Sequence, residues 1–418
     1  MTHVQSGRGR LIGVVLAGLL ATTLSAAPTG AATAQDRARP SKIGAEFFGM
    51  DISIGSTEAF SWPQFTPGAV RIHLAWNRVE RSPGTFDWTE TDAKIAIAEA
   101  HGAKPLLVIV DTPIFHTSYP AHATNASPPR LHSYGRFVRR LAARYGDRVD
   151  YQVWNEPNVP LFYTGTPAHA AKMTKIAGKS VRKFAPGATV VAPSFTVRHD
   201  TDRAWFKDYW SQRLGRKRVA DFVDAANISA YPFPEKGPEQ GLALAQWAQR
   251  AVAREGFDGP LWASEINYGA NGLAPTPRIP ARRQAAFVVQ TYVLHAADGA
   301  ERVYWWRWEG HQTVNTQLQD GEGGLTRAGV AYGVVKGWLL GTKPKGCSWS
   351  AGVRTCRFRA RGGVDRVVVW SGSGKRRAVR APVGAVTRTS ASGAVREIGP
   401  GRFLRVGRAP VMIEVMRS

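Results

Sequence analysis

The chain is predicted to fold as a (β/α)8 barrel followed by a small antiparallel all-β domain, an α/β fold class that rests on three observations. From residue 44 to residue 342, short β-branched apolar runs alternate with amphipathic helical stretches, the pattern of βαβ units around a parallel sheet. Eight such runs fall within about 300 residues, which suits a closed ring of eight strands better than an open doubly wound sheet. After Leu340 the helical period stops, and β-forming runs between Gly and Ser turns take over.

The expected barrel strands are 47–53, 69–75, 105–111, 149–154, 189–192, 225–230, 261–264 and 302–306. Gly102, Gly146, Gly187, Gly256 and Gly299 stand at helix-to-strand joints, where a helix end calls for a left-handed residue that glycine adopts without a Cβ clash. The barrel is assigned to 44–342. Within 343–418, the runs 366–370, 377–381, 402–406 and 411–415 read as strands of a basic, β-sandwich-like domain.

Ahead of the barrel, Arg8 and Arg10 precede an apolar run over 11–24 and then small residues through Ala32-Thr33-Ala34. That order is the pattern of a secretory signal peptide, and the apolar run is short for a bilayer span. Residues 1–34 are expected to be removed and 35–43 to act as a linker, leaving a secreted, extracellular protein with no stable membrane insertion. The two cysteines, Cys347 and Cys356, lie in the exported part, where a disulfide between them would staple a hairpin.

A composition 44% hydrophobic and 21% charged over 418 residues suits a folded protein and excludes disorder as the default. The net charge is +24, and 343–418 carries 17 Lys or Arg against Asp365, Glu397 and Glu414, a local excess of +14. Such an excess raises nucleic acid as a partner, but neither a basic–aromatic platform nor a known motif accompanies it, so none is expected. Arg357, Arg359 and Arg361 alternate and would share one face of a strand. This face is open to two readings, an adhesive surface for anionic polymer or a solvated face that keeps an exported protein soluble.

Several motifs fail. Gly372-Ser373-Gly374-Lys375 lacks the spacing and the following Ser or Thr of a phosphate loop. No His pair or His/Cys cluster has metal-ligand spacing, so no metal or other cofactor is expected. No Gly-x-Ser-x-Gly elbow points to an esterase. Nothing resembles a coiled coil, and a monomer is expected.

Chemistry in such a barrel gathers where the strands end. The fourth strand reads Tyr151-Gln152-Val153-Trp154 and runs into Asn155-Glu156-Pro157-Asn158, where Pro157 stops it. The seventh reads Leu261-Trp262-Ala263-Ser264 and runs into Glu265. Strands three positions apart in an eight-stranded ring face each other, so two carboxyl groups meet across the mouth. Cleaving a glycosidic bond with retention needs two carboxyls about 5–5.5 Å apart, one to protonate the leaving oxygen and one to attack the anomeric carbon.

The run Trp154-Asn155-Glu156-Pro157-Asn158, Ser264-Glu265, Arg71-Ile72-His73 and the stretch from Trp76-Asn77-Arg78-Val79-Glu80 to Phe86-Asp87-Trp88 resemble clan A of the glycoside hydrolases. Within it the chain is most similar to family 39 and more loosely to family 5. The resemblance implies that Glu156 is the acid/base, Glu265 the nucleophile, and Asn155 the partner of the sugar 2-hydroxyl. It departs from family 39 after Glu265, where Ile266-Asn267-Tyr268 stands.

Further substrate-binding candidates follow. Arg71 on the second strand would keep Glu265 ionised, as a neighbouring cation does. Tyr231 after the sixth strand would donate its hydroxyl to the nucleophile. Trp306 and Trp308 after the eighth strand, and Trp76 after the second, would offer flat apolar faces to sugar rings. The expected function is a secreted retaining glycoside hydrolase that cleaves O-glycosidic bonds, β-linked by resemblance, in a polysaccharide or oligosaccharide that is neutral or anionic. The alternative is an inactive glycan-binding barrel whose basic module contacts an anionic surface or polymer.

Overall fold

The computed structural model of the protein describes residues 42–53, 62–270, 278–311, 313–399 and 401–417. The expected signal peptide, and the expected linker up to residue 41, lie outside the described residues. The barrel strands are β1 Phe48–Asp51, β2 Ala69–Ala75, β3 Lys104–Val110, β4 Asp150–Gln152, β5 Val190–Val191, β6 Ala226–Ser229, β7 Leu261–Ile266 and β8 Arg302–Trp305. They pair in parallel in the order β5-β4-β3-β2-β1-β8-β7-β6. Parallel bridges Val191↔Ala225 and Thr196↔Ser229 join β5 to β6, so the ring closes.

The helices α1 Thr89–Ala100, α2 Leu131–Tyr145, α3 Pro167–Phe184, α4 Asp200–Trp210, α5 Pro238–Arg254, α6 Ala281–Asp298 and α7 Arg327–Leu339 surround the ring. They bury their apolar faces on the outward side chains of the strands, among them Ile72, Ala263, Val303 and Trp305. Four of the five joint glycines are left-handed, Gly102 at φ 69°, Gly146 at 55°, Gly256 at 81° and Gly299 at 92°. Gly187 is not: it is required by close approach, since a Cβ there would stand 2.9 Å from the Asp147 carboxylate that accepts its N–H.

The lumen is packed in layers, as side chains alternate along each strand. At the bottom Arg302 pairs with Asp150 at 2.6 Å and lies over the Trp262 ring. Above it Ala69, Leu106, Val108, Val191, Trp262 and Tyr304 form a separate apolar cluster. Gly49 on β1 makes room for it, because a Cβ there would meet the Tyr304 ring at 2.5 Å.

The strand β7 continues past the expected end at Ser264 to Ile266, so Glu265 lies within it. Pairing on both flanks holds the extension: Ala230 donates to the Glu265 carbonyl at 2.7 Å and Trp306 to that of Ile266 at 3.0 Å. The register between β6 and β7 shifts here, with Ile228 opposite Ala263 but Ser229 opposite Glu265. Strict alternation would turn Glu265 outward with Ala263. The extra residue reverses that parity and turns Glu265 into the lumen.

The C-terminal strands are β9 Lys343–Ser350, β10 Val353–Arg359, β11 Val364–Ser371, β12 Arg377–Arg380, β13 Ala385–Ser390, β14 Val395–Glu397, β15 Phe403–Val406 and β16 Val411–Met416. Six form an antiparallel sheet in the order β9-β10-β11-β16-β13-β14, and β12 pairs with β15. Val367, Val369 and Ile413 of the larger sheet share a small core with Leu404 and Val406 of the smaller. The other face, with Phe358, Val368, Trp370 and Met412, belongs to the barrel's core cluster. Arg354 reaches Glu239 on α5 at 2.6 Å, and Gln290 of α6 donates to the Arg408 carbonyl at 2.8 Å. The expected disulfide is present: Cys347 and Cys356 face each other across the β9–β10 hairpin with Cα atoms 4.0 Å apart. Among the described residues no helix is long and apolar enough to cross a membrane.

Candidate active site

A cavity of about 440 Å³ opens where the strands end, lined by Asp51, Arg71, His73, Asn155, Glu156, Glu265 and Trp306 among others. The structure thus brings together the two expected carboxyl groups, Arg71, Asn155 and Trp306, while Tyr231 enters through a direct bond to Glu265.

Glu265 is held at both oxygens. Arg71 Nη1 lies 2.7 Å from Oε1, and the Tyr231 hydroxyl donates to Oε2 at 2.8 Å. Both are donors, so each oxygen of the carboxyl group has a fixed partner. Burial, followed by the Glu265 charge, pushes the Tyr231 hydroxyl well above its ordinary pKa, so it stays protonated and keeps donating. Arg71 is itself buried and also meets Asp51 Oδ2 at 3.1 Å. Burial is the larger influence on Asp51 and raises its pKa to about 6 against the opposing pull of Arg71.

Glu156 is placed differently. It follows β4 by four residues at φ 37°, a left-handed conformation uncommon for a side chain of this kind. Its amide donates to Ser194 Oγ at 3.3 Å. Burial first, and the Glu265 charge second, raise its pKa to about 8, against the weaker pulls of the Ser229 hydroxyl and of Arg71. One carboxyl is therefore surrounded by donors and the other by burial and a like charge.

Asn155 is fixed between the two. Its Oδ1 accepts from Arg71 Nη2 at 2.6 Å and from Ser194 Oγ at 3.0 Å. A guanidinium has donors only, so that atom is the oxygen and the NH2 group remains to donate. His73 Nε2 lies 2.6 Å from Arg71 Nη1 and by the same logic accepts, which puts its proton on Nδ1.

Two candidates belong elsewhere. Trp76 lies in a short helical turn after β2, fully buried, stacked on Phe137 at 4.6 Å and donating to Glu80 at 2.7 Å. Trp308 is 2% exposed in the core and donates to Gln319. Neither ring has a face left for a sugar. Trp306 is the half-buried indole at the rim, edge-on to Tyr231 at 6.2 Å. Sequence reasoning missed Asp51, His73 and Ser194. Asp51 ends β1 and His73 shares the inward parity of Arg71, so strand ends and period 2 carry a signal for both; Ser194 lies in a loop with none. Among the described residues no group of His, Cys, Asp and Glu is arranged to hold a metal ion.

No protein-family model and no curated protein matches the chain. Solved structures do. A family 39 glycoside hydrolase from the gut symbiont Bacteroides cellulosilyticus WH2 superposes with a TM-score of 0.67 at 16% identity, over 91% of this chain and 82% of that one. The fold is that of the glycoside hydrolase barrels. A glucosidase from Croceicoccus marinus gives a TM-score of 0.64 at 16% identity, over 91% of this chain and 97% of that one. A family 30 endoxylanase from Clostridium papyrosolvens C71 gives 0.63 at 11% identity, over 91% and 97%.

Proposed function

We propose that the protein is a retaining glycoside hydrolase that cleaves β-linked O-glycosides in a polysaccharide or oligosaccharide by double displacement. The observation that carries this reading is the pair of rim carboxyls in opposed environments, Glu265 between Arg71 and Tyr231, and Glu156 buried with a raised pKa. In the first step a Glu265 oxygen attacks the anomeric carbon while the C–O glycosidic bond breaks and Glu156 passes its proton to the leaving oxygen. In the second, Glu156 takes a proton from water, whose oxygen attacks the same carbon and releases Glu265. Loss of the Glu265 charge in the intermediate removes the largest charge influence that raises Glu156, which suits its change from acid to base. The Asn155 NH2 group would donate to the sugar 2-hydroxyl.

The leader over residues 1–34 and the Cys347–Cys356 disulfide support action outside the cell. The solved relatives include a glucosidase and an endoxylanase, so the sugar follows from loops rather than from the fold. The test is hydrolysis of activated β-aryl glycosides by Glu265→Ala and Glu156→Ala with added azide. The first variant is expected to yield a glycosyl azide of inverted configuration and the second one of retained configuration. Unimpaired hydrolysis by either variant would overturn the assignment.

A further inference from the structure

A second cavity lies away from the barrel mouth. It is a groove of about 1920 Å³ on the C-terminal domain, between β13 and β14 on one side and β15 and the segment after it on the other. A volume above the roughly 300–1,000 Å³ of small-ligand sites suits several units of a polymer.

Its chemistry is one-sided. Arg376, Arg388, Arg396, Arg402, Arg405 and Arg408 line it, and Arg282 at the start of α6 extends it toward the barrel, with Glu397 the only carboxylate among the described residues that line it. Among the described residues none of these guanidinium groups is ion-paired, whereas Arg354, Arg359, Arg366 and Arg417 of the same domain each meet an Asp or Glu. The cations at the barrel mouth are also neutralised, Lys94 by Glu90 and Arg307 by Glu309. Arg388 and Arg396 stand directly opposite each other on neighbouring strands, a like-charge pairing that destabilises a sheet unless an anion relieves it.

Phe403 adds a second kind of contact. It is 71% exposed on β15 and shares the outward face with Arg405, while Leu404 and Val406 between and beyond them are buried. One exposed ring among guanidinium groups fits the C–H face of a sugar flanked by anions. Nucleic acid would call for successive aromatics on which bases stack, and Phe403 is the sole aromatic lining the groove among the described residues.

We propose that this groove binds a linear polyanionic polysaccharide, one carrying a carboxylate or sulfate on each repeat, with Phe403 against a sugar face. The proposal does not depend on catalysis in the barrel. It is tested by affinity electrophoresis and titration of the full chain with polygalacturonate, dextran sulfate, neutral dextran, xylan and a single-stranded DNA oligonucleotide. A variant carrying R388E, R396E, R402E and R405E is compared with one carrying K343E, K345E, R357E and R361E, which changes net charge equally outside the groove. Thermal melting of both shows that they are folded.

The expected result is binding to polygalacturonate, dextran sulfate or both, weakened at least tenfold by the groove variant and less than threefold by the other. Preference between the two polymers identifies carboxylate or sulfate as the group recognised. Equal weakening by both variants would reduce the effect to net charge and overturn the proposal. Equal retardation by neutral polymers, or tighter binding to DNA than to either anionic polysaccharide, would also overturn it.

Discussion

Arg71 Nη1 stands 2.7 Å from Glu265 Oε1, and the same guanidinium reaches Asp51 and Asn155, so one buried cation ties β2 to the ends of β1, β4 and β7. Removing it would leave two carboxylates without their cation and free the Asn155 amide to rotate. Hydrogen bonds to charged groups contribute about 1.5–3 kcal/mol each, roughly 10- to 100-fold in rate where the transition state feels them. Arg71→Met is therefore expected to lower kcat/KM at least about 100-fold and to cost about 3–5 kcal/mol of stability, as a broken buried pair does. Arg71→Lys should recover only part of both, because a point charge cannot serve three partners in the plane of a fork. Steady-state kinetics beside thermal melting checks this; near-normal kcat/KM in Arg71→Met would sink it.

Tyr231 acts through one bond, its hydroxyl to Glu265 Oε2 at 2.8 Å. Tyr231→Phe keeps the ring beside Trp306 and deletes the donor. The expected loss is about 10- to 100-fold in kcat, with KM moving less, since in the proposed mechanism the bond orients the attacking carboxylate. A change confined to KM would assign Tyr231 to the cavity wall instead.

The pH behaviour follows from Glu156. It must be protonated to act as acid, and burial beside Glu265 raises its pKa to about 8, so kcat/KM should hold through neutrality and fall as pH rises through about 8. With a leaving group that needs no proton, Glu156→Gln should show no such basic limb. Stability has the same origin. Between the ordinary 4.5 and about 8 the native state holds a proton that the unfolded chain has lost, so this group makes stability fall as pH rises across that window. Glu156→Gln should therefore melt higher than wild type at pH 8 and approach it near pH 5. Parallel melting curves for the two proteins at all pH values would contradict the assignment.

The parts of this site legible in the sequence are those with a local signal. Asn155 and Glu156 follow a strand and precede a proline, and Arg71 lies mid-strand where a barrel core rarely keeps a cation without a partner. Glu265 is a harder case. Trp262 fills the lumen, so period 2 sends Glu265 outward, and the irregular register against β6, matched by one against β8, brings it in. That shift depends on a neighbouring strand more than 30 residues earlier in the chain, which no window of sequence contains. The same holds for Ser194, and for the arginine groove, whose walls β13 and β15 belong to different sheets, β13 pairing with β16 and β15 with β12. Alternation drew notice to Arg357, Arg359 and Arg361 instead, which are exposed but face no cavity of this kind.

The tryptophans divide by geometry that composition does not carry, and they can be separated by experiment. Trp306 is half-buried and lines the cavity beside Tyr231, whereas Trp76 and Trp308 are buried in the core and fixed by bonds to Glu80 and Gln319. Trp306→Ala removes a sugar-facing surface and little packing, so it should raise KM about tenfold while leaving the melting temperature within a few degrees of wild type. Trp76→Ala and Trp308→Ala create cavities and take a donor from Glu80 Oε2 and from Gln319 Oε1, with an expected cost of about 3–5 kcal/mol each. Whatever fraction of those two variants remains folded should bind substrate with a near-normal KM. A raised KM in folded Trp308→Ala would return that residue to the binding surface.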